Sequence, residues 1–173
     1  MAELFTRPAA HDPAAPPVQV DHVNLNYDGT AALQDISFQL AAGTRVAVVG
    51  PNGAGKSTLF KVLAGVLRPT SGTVRIYGGL PGRHVCIAYV PQRSQVDWSF
   101  PVSVADVAMM GRIRAIGLFR WPTPDDWRVV DAALGRVGML ESRWRQIGDL
   151  SGGQQQRVFL AQALAQGAEL VLL

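Results

Sequence analysis

Apolar residues recur along the chain in patterns that separate strands from helices. Residues 18–27 and 36–40 mostly alternate apolar and polar positions, which predicts two antiparallel strands joined through the Asp28–Gly29 turn and a short connection. Residues 46–49 form an unbroken apolar run, which is typical of a parallel strand covered on both faces. Residues 59–67 carry apolar positions at helical spacing, so a helix should follow that strand.

The second half of the chain begins with strand signals and then changes to helical ones. Residues 73–77 and 85–90 predict two further strands, and residues 170–173 begin a fully apolar one. Residues 103–106 and 123–126 both resemble capping boxes, so a helix should begin at each. These patterns predict an α/β fold with an antiparallel β edge and an inserted helical subdomain.

Composition divides the chain into four parts. Residues 1–17 are rich in alanine and proline and look like a flexible leader without the features of a signal peptide. Residues 18–93 should form the core of the sheet domain, and residues 94–150 the helical subdomain. Residues 151–173 then supply another helix and the start of the last strand.

The loop between the predicted buried strand and its helix carries a phosphate-binding motif. Residues 50–58 read Gly-Pro-Asn-Gly-Ala-Gly-Lys-Ser-Thr and fit the pattern G-x-x-x-x-G-K-[ST]. Small residues allow successive backbone N–H groups to point into one concavity, and the helix adds its positive end. Lys56 would reach the β- and γ-phosphates, and the Ser57 hydroxyl would bind Mg²⁺. The sequence therefore predicts a P-loop nucleotide-binding domain.

The alternative for this loop is a glycine-rich turn with a lysine on its surface. The chain has 16 lysines and arginines, of which only Lys56 and Lys61 are lysines. Because surface cations of this chain are almost always arginine, a lysine placed here as generic surface charge is improbable.

A second pair of glycines opens the last predicted helix. Ser151 suits the N-cap with Gln154 reaching back, and the segment could be only a good helix start. Gly152 and Gly153 are unexpected there, because each costs about 1 kcal/mol relative to alanine inside a helix. Their presence is explained if a ligand approaches the backbone, which would make this helix start a second anion site.

Composition and charge indicate which classes of protein this chain can belong to. Of 173 residues, 48% are hydrophobic and 17% charged, and the mild net charge of +3 comes without a basic run for nucleic acid. Cys86 is the only cysteine, which indicates a reducing compartment. His11, His22 and His84 show no metal-ligand spacing beyond the His84/Cys86 pair. No apolar segment reaches the ~18–20 residues that span a bilayer, so we expect a chain that is soluble by itself.

These motifs together resemble the nucleotide-binding subunit of an ABC transporter. The resemblance rests on residues 50–58, on Gln92 after Val90-Pro91, and on Leu150–Arg157, and it covers residues 18–173. In that family, the Leu-Ser-Gly-Gly-Gln segment of one subunit contacts the ATP held by the phosphate loop of another, in a head-to-tail dimer. The resemblance thus implies ATP and Mg²⁺ as cofactors.

The resemblance also assigns roles to single residues. Tyr27 would stack on adenine, although spacing alone favours an ordinary edge aromatic. Lys56 and Gln92 would be the catalytic residues, Gln92 sensing Mg²⁺ and the attacking water, and Ser57 and Gln92 would contact the Mg²⁺. The implied nucleotide contacts are Tyr27, Gly50, Pro51, Asn52, Gly53, Ala54, Gly55, Lys56, Ser57 and Thr58, and from a second subunit Ser151, Gly152, Gly153 and Gln154.

A finer similarity concerns the class of transporter. Residues 96–101, Asp106-Val107 and residues 110–112 are similar to the manganese/zinc/iron-chelate importer branch. This implies a second, identical ATP-binding subunit, transmembrane permease subunits and an extracytoplasmic substrate-binding protein as partners, and no nucleic acid. The helical subdomain would contact the permease, which places the protein in the cytoplasm at the inner face of the cell membrane.

The family's next elements are an Asp that ends the last strand, a catalytic Glu beside it and a later His, and the chain ends at Leu173 before them. We expect the full-length parent to be an ATPase and the 173-residue chain to bind nucleotide with little turnover. Residues 46–49 should also lack covering sheet residues and be exposed. Two alternatives remain: a soluble ABC ATPase without transport that acts on nucleic acid or ribosomes, and a regulatory nucleotide-binding module.

Overall fold

The computed structural model describes residue 12 and residues 14–27, 29–82, 87–90, 100–117 and 120–173. The chain forms two compact units, residues 1–85 and residues 86–173.

The first unit contains a three-stranded antiparallel sheet. In this sheet β1 (Val18–Tyr27) lies between β2 (Thr30–Leu40) and β3 (Ser71–Arg75). The predicted antiparallel pair is confirmed, but β2 begins at Thr30 rather than Ile36, because Thr30 already pairs with Tyr27. The buried side chains of this unit include Val18, Val20, Val23, Leu25, Leu33, Val74 and Ile76 from the strands and the residue after β3. Helix α1 (Lys56–Leu63) buries Leu59, Val62 and Leu63.

Part of the segment expected to be a flexible leader contacts the turn after β3. The Asp12 N–H donates to the Tyr77 carbonyl at 3.2 Å, and the Tyr77 N–H donates to the Pro17 carbonyl at 3.3 Å. The domain boundaries drawn from the sequence stay a prediction.

Residues 46–49 differ from the expected buried strand. They form no strand, and Val46, Val48 and Val49 are 60%, 37% and 87% exposed. The exposure agrees with the expectation that this segment lacks covering residues, whereas the expectation of a strand is wrong. A strand needs a neighbour that exchanges backbone hydrogen bonds with it, and no strand in the described ranges pairs with this segment.

The β1–β2 ladder is interrupted where two residues adopt left-handed backbone conformations. His22 has φ 46° and Asp35 has φ 48°, and the pairing register shifts between Val20 and Val23. The His22 Nδ1 lies 2.6 Å from the Asp35 Oδ1. The hydrogen bond to Asp35 and the negative charge of that carboxylate raise the pKa of His22 above its ordinary value.

Replacing Asp35 with asparagine is therefore expected to lower the pKa of His22, as followed by NMR of the imidazole ring protons. Asp21→Asn is the matched control, because Asp21 raises the pKa of His22 less than Asp35 does. Since the pKa is raised on folding, the stabilisation by this pair is complete below the ordinary pKa of about 6.5 and disappears as pH rises through the pKa of folded His22. Both side chains are exposed, so the change in stability should be small. Equal shifts in the two variants would contradict this assignment.

The second unit is mainly helical. It contains α2 (Val104–Met110), α3 (Ile113–Ile116), α4 (Pro124–Arg136) and α5 (Gly152–Gln166), with 3₁₀ turns at Leu140–Ser142 and Ile147–Asp149. Short strands β4 (Ile87–Tyr89) and β5 (Leu170–Leu172) pair in parallel. The predicted capping boxes are confirmed, because the Ser103 and Thr123 side chains each exchange hydrogen bonds with the residue three positions later.

Helices α2, α4 and α5 meet at a junction around Gly111 and Arg112. A Cβ atom at Gly111 would lie 2.3 Å from the Gln162 carbonyl oxygen, so the backbones of the α2 C-cap and α5 are in contact. The Arg112 Nη2 donates to the Asp126 Oδ1 at 3.0 Å, and the pKa of Asp126 is lowered, first by hydrogen bonds from Thr123 and then by Arg112. The junction therefore joins the end of α2 to the start of α4 and to α5.

Candidate functional site

The phosphate loop has the backbone conformation that its glycines allow. Gly53 and Gly55 have φ of 83° and 80°, in the left-handed region that side chains rarely adopt. A Cβ atom at Gly53 would meet nothing within 4 Å among the described residues, so the backbone there is open to a ligand. Helix α1 begins directly afterwards at Lys56, so the helix predicted to follow the loop is confirmed.

The start of α1 has free backbone donors. Gly55 provides no side-chain cap, and no acidic residue lies in the first turn. The first N–H groups of a helix have no partner within the helix, and the helix dipole favours an anion beside them. This end of α1 can therefore bind phosphate oxygens.

The Lys56 side chain is hydrogen-bonded to the backbone of the phosphate loop. Its Nζ donates to the Gly50 and Pro51 carbonyl oxygens, each at 2.7 Å. A lysine ammonium has three donors, so one remains for an anion. The side chain is thus placed beside the amides of the loop, and Ser57 and Thr58 follow it in the first turn of α1.

The loop is fixed by a contact with β2 that the sequence did not predict. A Cβ atom at Gly55 would lie 2.3 Å from the Ala32 carbonyl oxygen, so only glycine allows this approach. Thr30, two residues before Ala32, pairs with Tyr27 across the hairpin. At about 3.3 Å per strand residue, the end of the hairpin lies within ~7 Å of this contact along β2. Tyr27 is 45% exposed, and its role in stacking on adenine stays a prediction.

The second glycine motif forms the N-terminus of α5. The Ser151 N–H donates to the Gln154 Oε1 at 2.9 Å, and the Gln154 N–H donates to the Ser151 Oγ at 3.4 Å, which confirms the predicted capping box. No acidic residue lies in the first turn, and a Cβ atom at Gly153 would meet nothing within 4 Å in the part of the chain that is described. The backbone at Gly153 is therefore open to an anion, and Gly152 beside it is half-buried.

Several predicted residues lie outside the described ranges or in separate units. Gln92 and residues 96–99 are outside them, so the predicted role of Gln92 stays a prediction. The phosphate loop and Tyr27 belong to the first unit, whereas residues 151–154 belong to the second. In the described ranges, no group of three or more His, Cys, Asp or Glu residues could hold a metal ion. None of the helices described is both long enough and apolar enough to cross a bilayer.

Comparison with known proteins gives the family. The ABC transporter family profile matches residues 33–173, so the chain belongs to the ABC transporter family. The manganese transport system ATP-binding protein MntB of Bacillus subtilis is 49% identical over 155 residues, which are 89% of this chain and 62% of MntB. The chelated iron transport system membrane protein YfeB of Yersinia pestis is 48% identical over 163 residues, covering 91% of this chain and 55% of YfeB.

Solved structures agree with this assignment. A transporter described as being of the metal-chelate ABC type, in an inward-facing conformation, matches with a TM-score of 0.79 and 33% identity over 90% of this chain and 58% of that chain. The subunit cbiO1 of Clostridium perfringens, part of the ABC transporter complex cbiONQ, matches with a TM-score of 0.73 and 30% identity, covering 90% of this chain and 64% of that one. The resemblance to the family and the predicted fold class are confirmed. The chain spans about three fifths of the length of the curated relatives it matches.

Proposed function

We propose that this chain is the ATP-binding, energy-coupling part of an ABC importer for a transition metal, and that ATP hydrolysis by the complete subunit drives transport. The observation that carries the proposal is the phosphate loop. Its left-handed glycines leave the backbone open, and Lys56 is bonded to the loop's own carbonyls with one donor left over. This arrangement fits the β- and γ-phosphates of a nucleoside triphosphate.

The loop residues would bind and orient the nucleotide. The N–H groups of Gly53, Gly55, Lys56 and Ser57 would hold phosphate oxygens, and the remaining Lys56 donor would form a charge-assisted hydrogen bond with them. The Ser57 hydroxyl, with Gln92, would hold Mg²⁺, which when bound neutralises charge on the transferred phosphate. Tyr27 would provide the flat surface for adenine.

The start of α5 would contact the nucleotide of a second subunit. Ser151 and Gln154 would shape this helix start through their capping box, the N–H groups of Gly152 and Gly153 would face the anion, and the α5 dipole favours an anion at this end. A head-to-tail pair of identical chains would then give each ATP one phosphate loop and one α5 N-terminus. The other proposed partners are transmembrane permease subunits, through which the protein would associate with the membrane, and an extracytoplasmic substrate-binding protein.

The class of cargo is proposed from the relatives. Their names refer to manganese transport and to chelated iron transport. The test is uptake of Mn²⁺ into proteoliposomes that contain the complete subunit and its permease, with the substrate-binding protein outside and ATP enclosed on the side of this subunit. Uptake that does not depend on ATP would contradict the proposed energy coupling.

Nucleotide binding can be tested on this chain alone by isothermal titration calorimetry with Mg²⁺ present. We expect ATP to bind at least about 100-fold more tightly than AMP, because AMP lacks the two phosphates that Lys56 and the loop amides would bind, and two charge-assisted hydrogen bonds contribute about 3 kcal/mol or more. AMP serves as the control because it keeps adenine and ribose. Equal affinities for the two nucleotides would contradict a phosphate-binding role for the loop.

A further inference from the structure

Gln155 is buried on the core face of α5, where its neighbours are apolar. It is 2% exposed and lies in line with Val158, Ala161 and Ala165, all of which are buried. Only one other polar or charged residue is buried in the described ranges, namely Asp126, which is bonded to Arg112 and Thr123. By contrast, the Gln155 Oε1 has no hydrogen-bond partner there. A buried acceptor without a donor is unfavourable, so this residue needs an explanation other than stability.

The nitrogen of the Gln155 side-chain amide makes one hydrogen bond in the described ranges. Its Nε2 donates to the Ile147 carbonyl oxygen at 3.1 Å. The same oxygen accepts the Leu150 N–H at 3.3 Å, which closes the 3₁₀ turn before the glycine motif. The end of the 3₁₀ turn and the first turn of α5 are therefore both hydrogen-bonded to the Ile147 carbonyl oxygen, which fixes the segment between them at both ends.

The hydrogen bond from Gln155 to Ile147 sets the direction in which the first turn of α5 points. It does not set the conformation within that turn. The capping box between Ser151 and Gln154 holds the residues of the motif to each other. It does not fix them to the preceding turn, where Leu150 is the connecting residue. Leu150 is buried in the core, so without the Gln155 amide only apolar packing would set the direction of the motif, while the motif's own hydrogen bonds stay intact.

We propose that Gln155 is a positioning residue, which fixes the direction in which the amides of Gly152 and Gly153 point toward the nucleotide of a second subunit. The proposal rests on the proposed function, since it assumes that these amides contact a nucleotide in trans. The favourable hydrogen bond to Ile147 is offset by the unpaired acceptor, so the residue serves geometry more than stability.

The test compares Gln155→Met with the matched control Gln162→Met, which changes a half-buried glutamine farther along the same helix. Methionine keeps the length of the side chain and removes both the donor and the unpaired acceptor. We expect Gln155→Met to keep or raise the melting temperature. We also expect the ¹⁵N order parameters of the Gly152 and Gly153 amides to fall from about 0.85 to below about 0.6. Association of the chain driven by ATP and Mg²⁺, measured by analytical ultracentrifugation, should weaken at least about fivefold because the contact is no longer preorganised.

The outcomes separate this proposal from the proposed function. If the wild-type chain does not self-associate in the presence of ATP and Mg²⁺, the proposed contact of the motif with a nucleotide in trans is wrong. The order parameters still decide whether Gln155 positions the motif. Unchanged order parameters in Gln155→Met would overturn the positioning role. A melting temperature lowered by more than about 5 °C in Gln155→Met, but not in Gln162→Met, would overturn it as well, because stability would then explain the residue. Gln155→Leu gives a second measurement, since its apolar side chain cannot donate to the Ile147 carbonyl oxygen and should mobilise the same two amides.

Discussion

Replacing Lys56 with alanine is expected to weaken ATP binding by about 100-fold or more while the chain remains folded. The side chain provides a charged donor within the loop and also donates hydrogen bonds to the Gly50 and Pro51 carbonyl oxygens. A hydrogen bond to a charged group contributes about 1.5–3 kcal/mol, and loss of the loop contacts adds to this, so about 3 kcal/mol is lost in total. Isothermal titration calorimetry with ATP and Mg²⁺ measures the effect.

Lys61→Ala is the matched control for this experiment. Lys61 lies in the last turn of the same helix, where its charge is favourable to the helix dipole but distant from the loop. We expect its removal to leave ATP affinity within about twofold and to lower stability by at most about 1 kcal/mol. If folded Lys56→Ala bound ATP as tightly as the wild type, the phosphate loop could not be the nucleotide site.

Features that depend on neighbouring residues were predictable from the sequence. The three capping boxes at Ser103, Thr123 and Ser151 are made by side chains that reach only three residues along the chain. The phosphate loop is similarly local, because its glycines, Lys56 and the start of α1 all lie within one short segment. The residues of such elements are therefore recognisable within one short stretch of sequence.

Features that depend on distant partners were not predictable in the same way. The apolar run at residues 46–49 has the composition of a strand, but a strand also needs a paired neighbour, which no pattern within the run can supply. The contact of Gly55 with Ala32 joins the loop to β2 across more than twenty residues, and it explains why glycine is required there. Gln155 gave a signal that could have been used, since a polar residue stands in the apolar stripe of α5.

The backbone contact at the helical junction leads to the second large prediction, that Gly111→Ala destabilises the second unit by about 2 kcal/mol. The added Cβ atom would lie 2.3 Å from the Gln162 carbonyl oxygen and 3.0 Å from the Gln166 nitrogen, both of them backbone atoms that cannot rotate away. Helix α2 would have to move away from α5, and overpacking of this kind costs about 1–3 kcal/mol. All four tryptophans lie in residues 86–173, so urea unfolding followed by tryptophan fluorescence reports on this unit.

Gly135→Ala separates this steric effect from the general effect of glycine replacement. Gly135 lies inside α4, and a Cβ atom there would meet nothing within 4 Å in the described ranges. Because alanine is the better helix former by about 0.5–1 kcal/mol, Gly135→Ala should leave stability unchanged or raise it. Gly111 has φ −61°, so backbone strain would not contribute to a loss at that position. A similar rise in stability in both variants would mean that α2 and α5 can separate at no cost, and that the junction does not hold α5 in place.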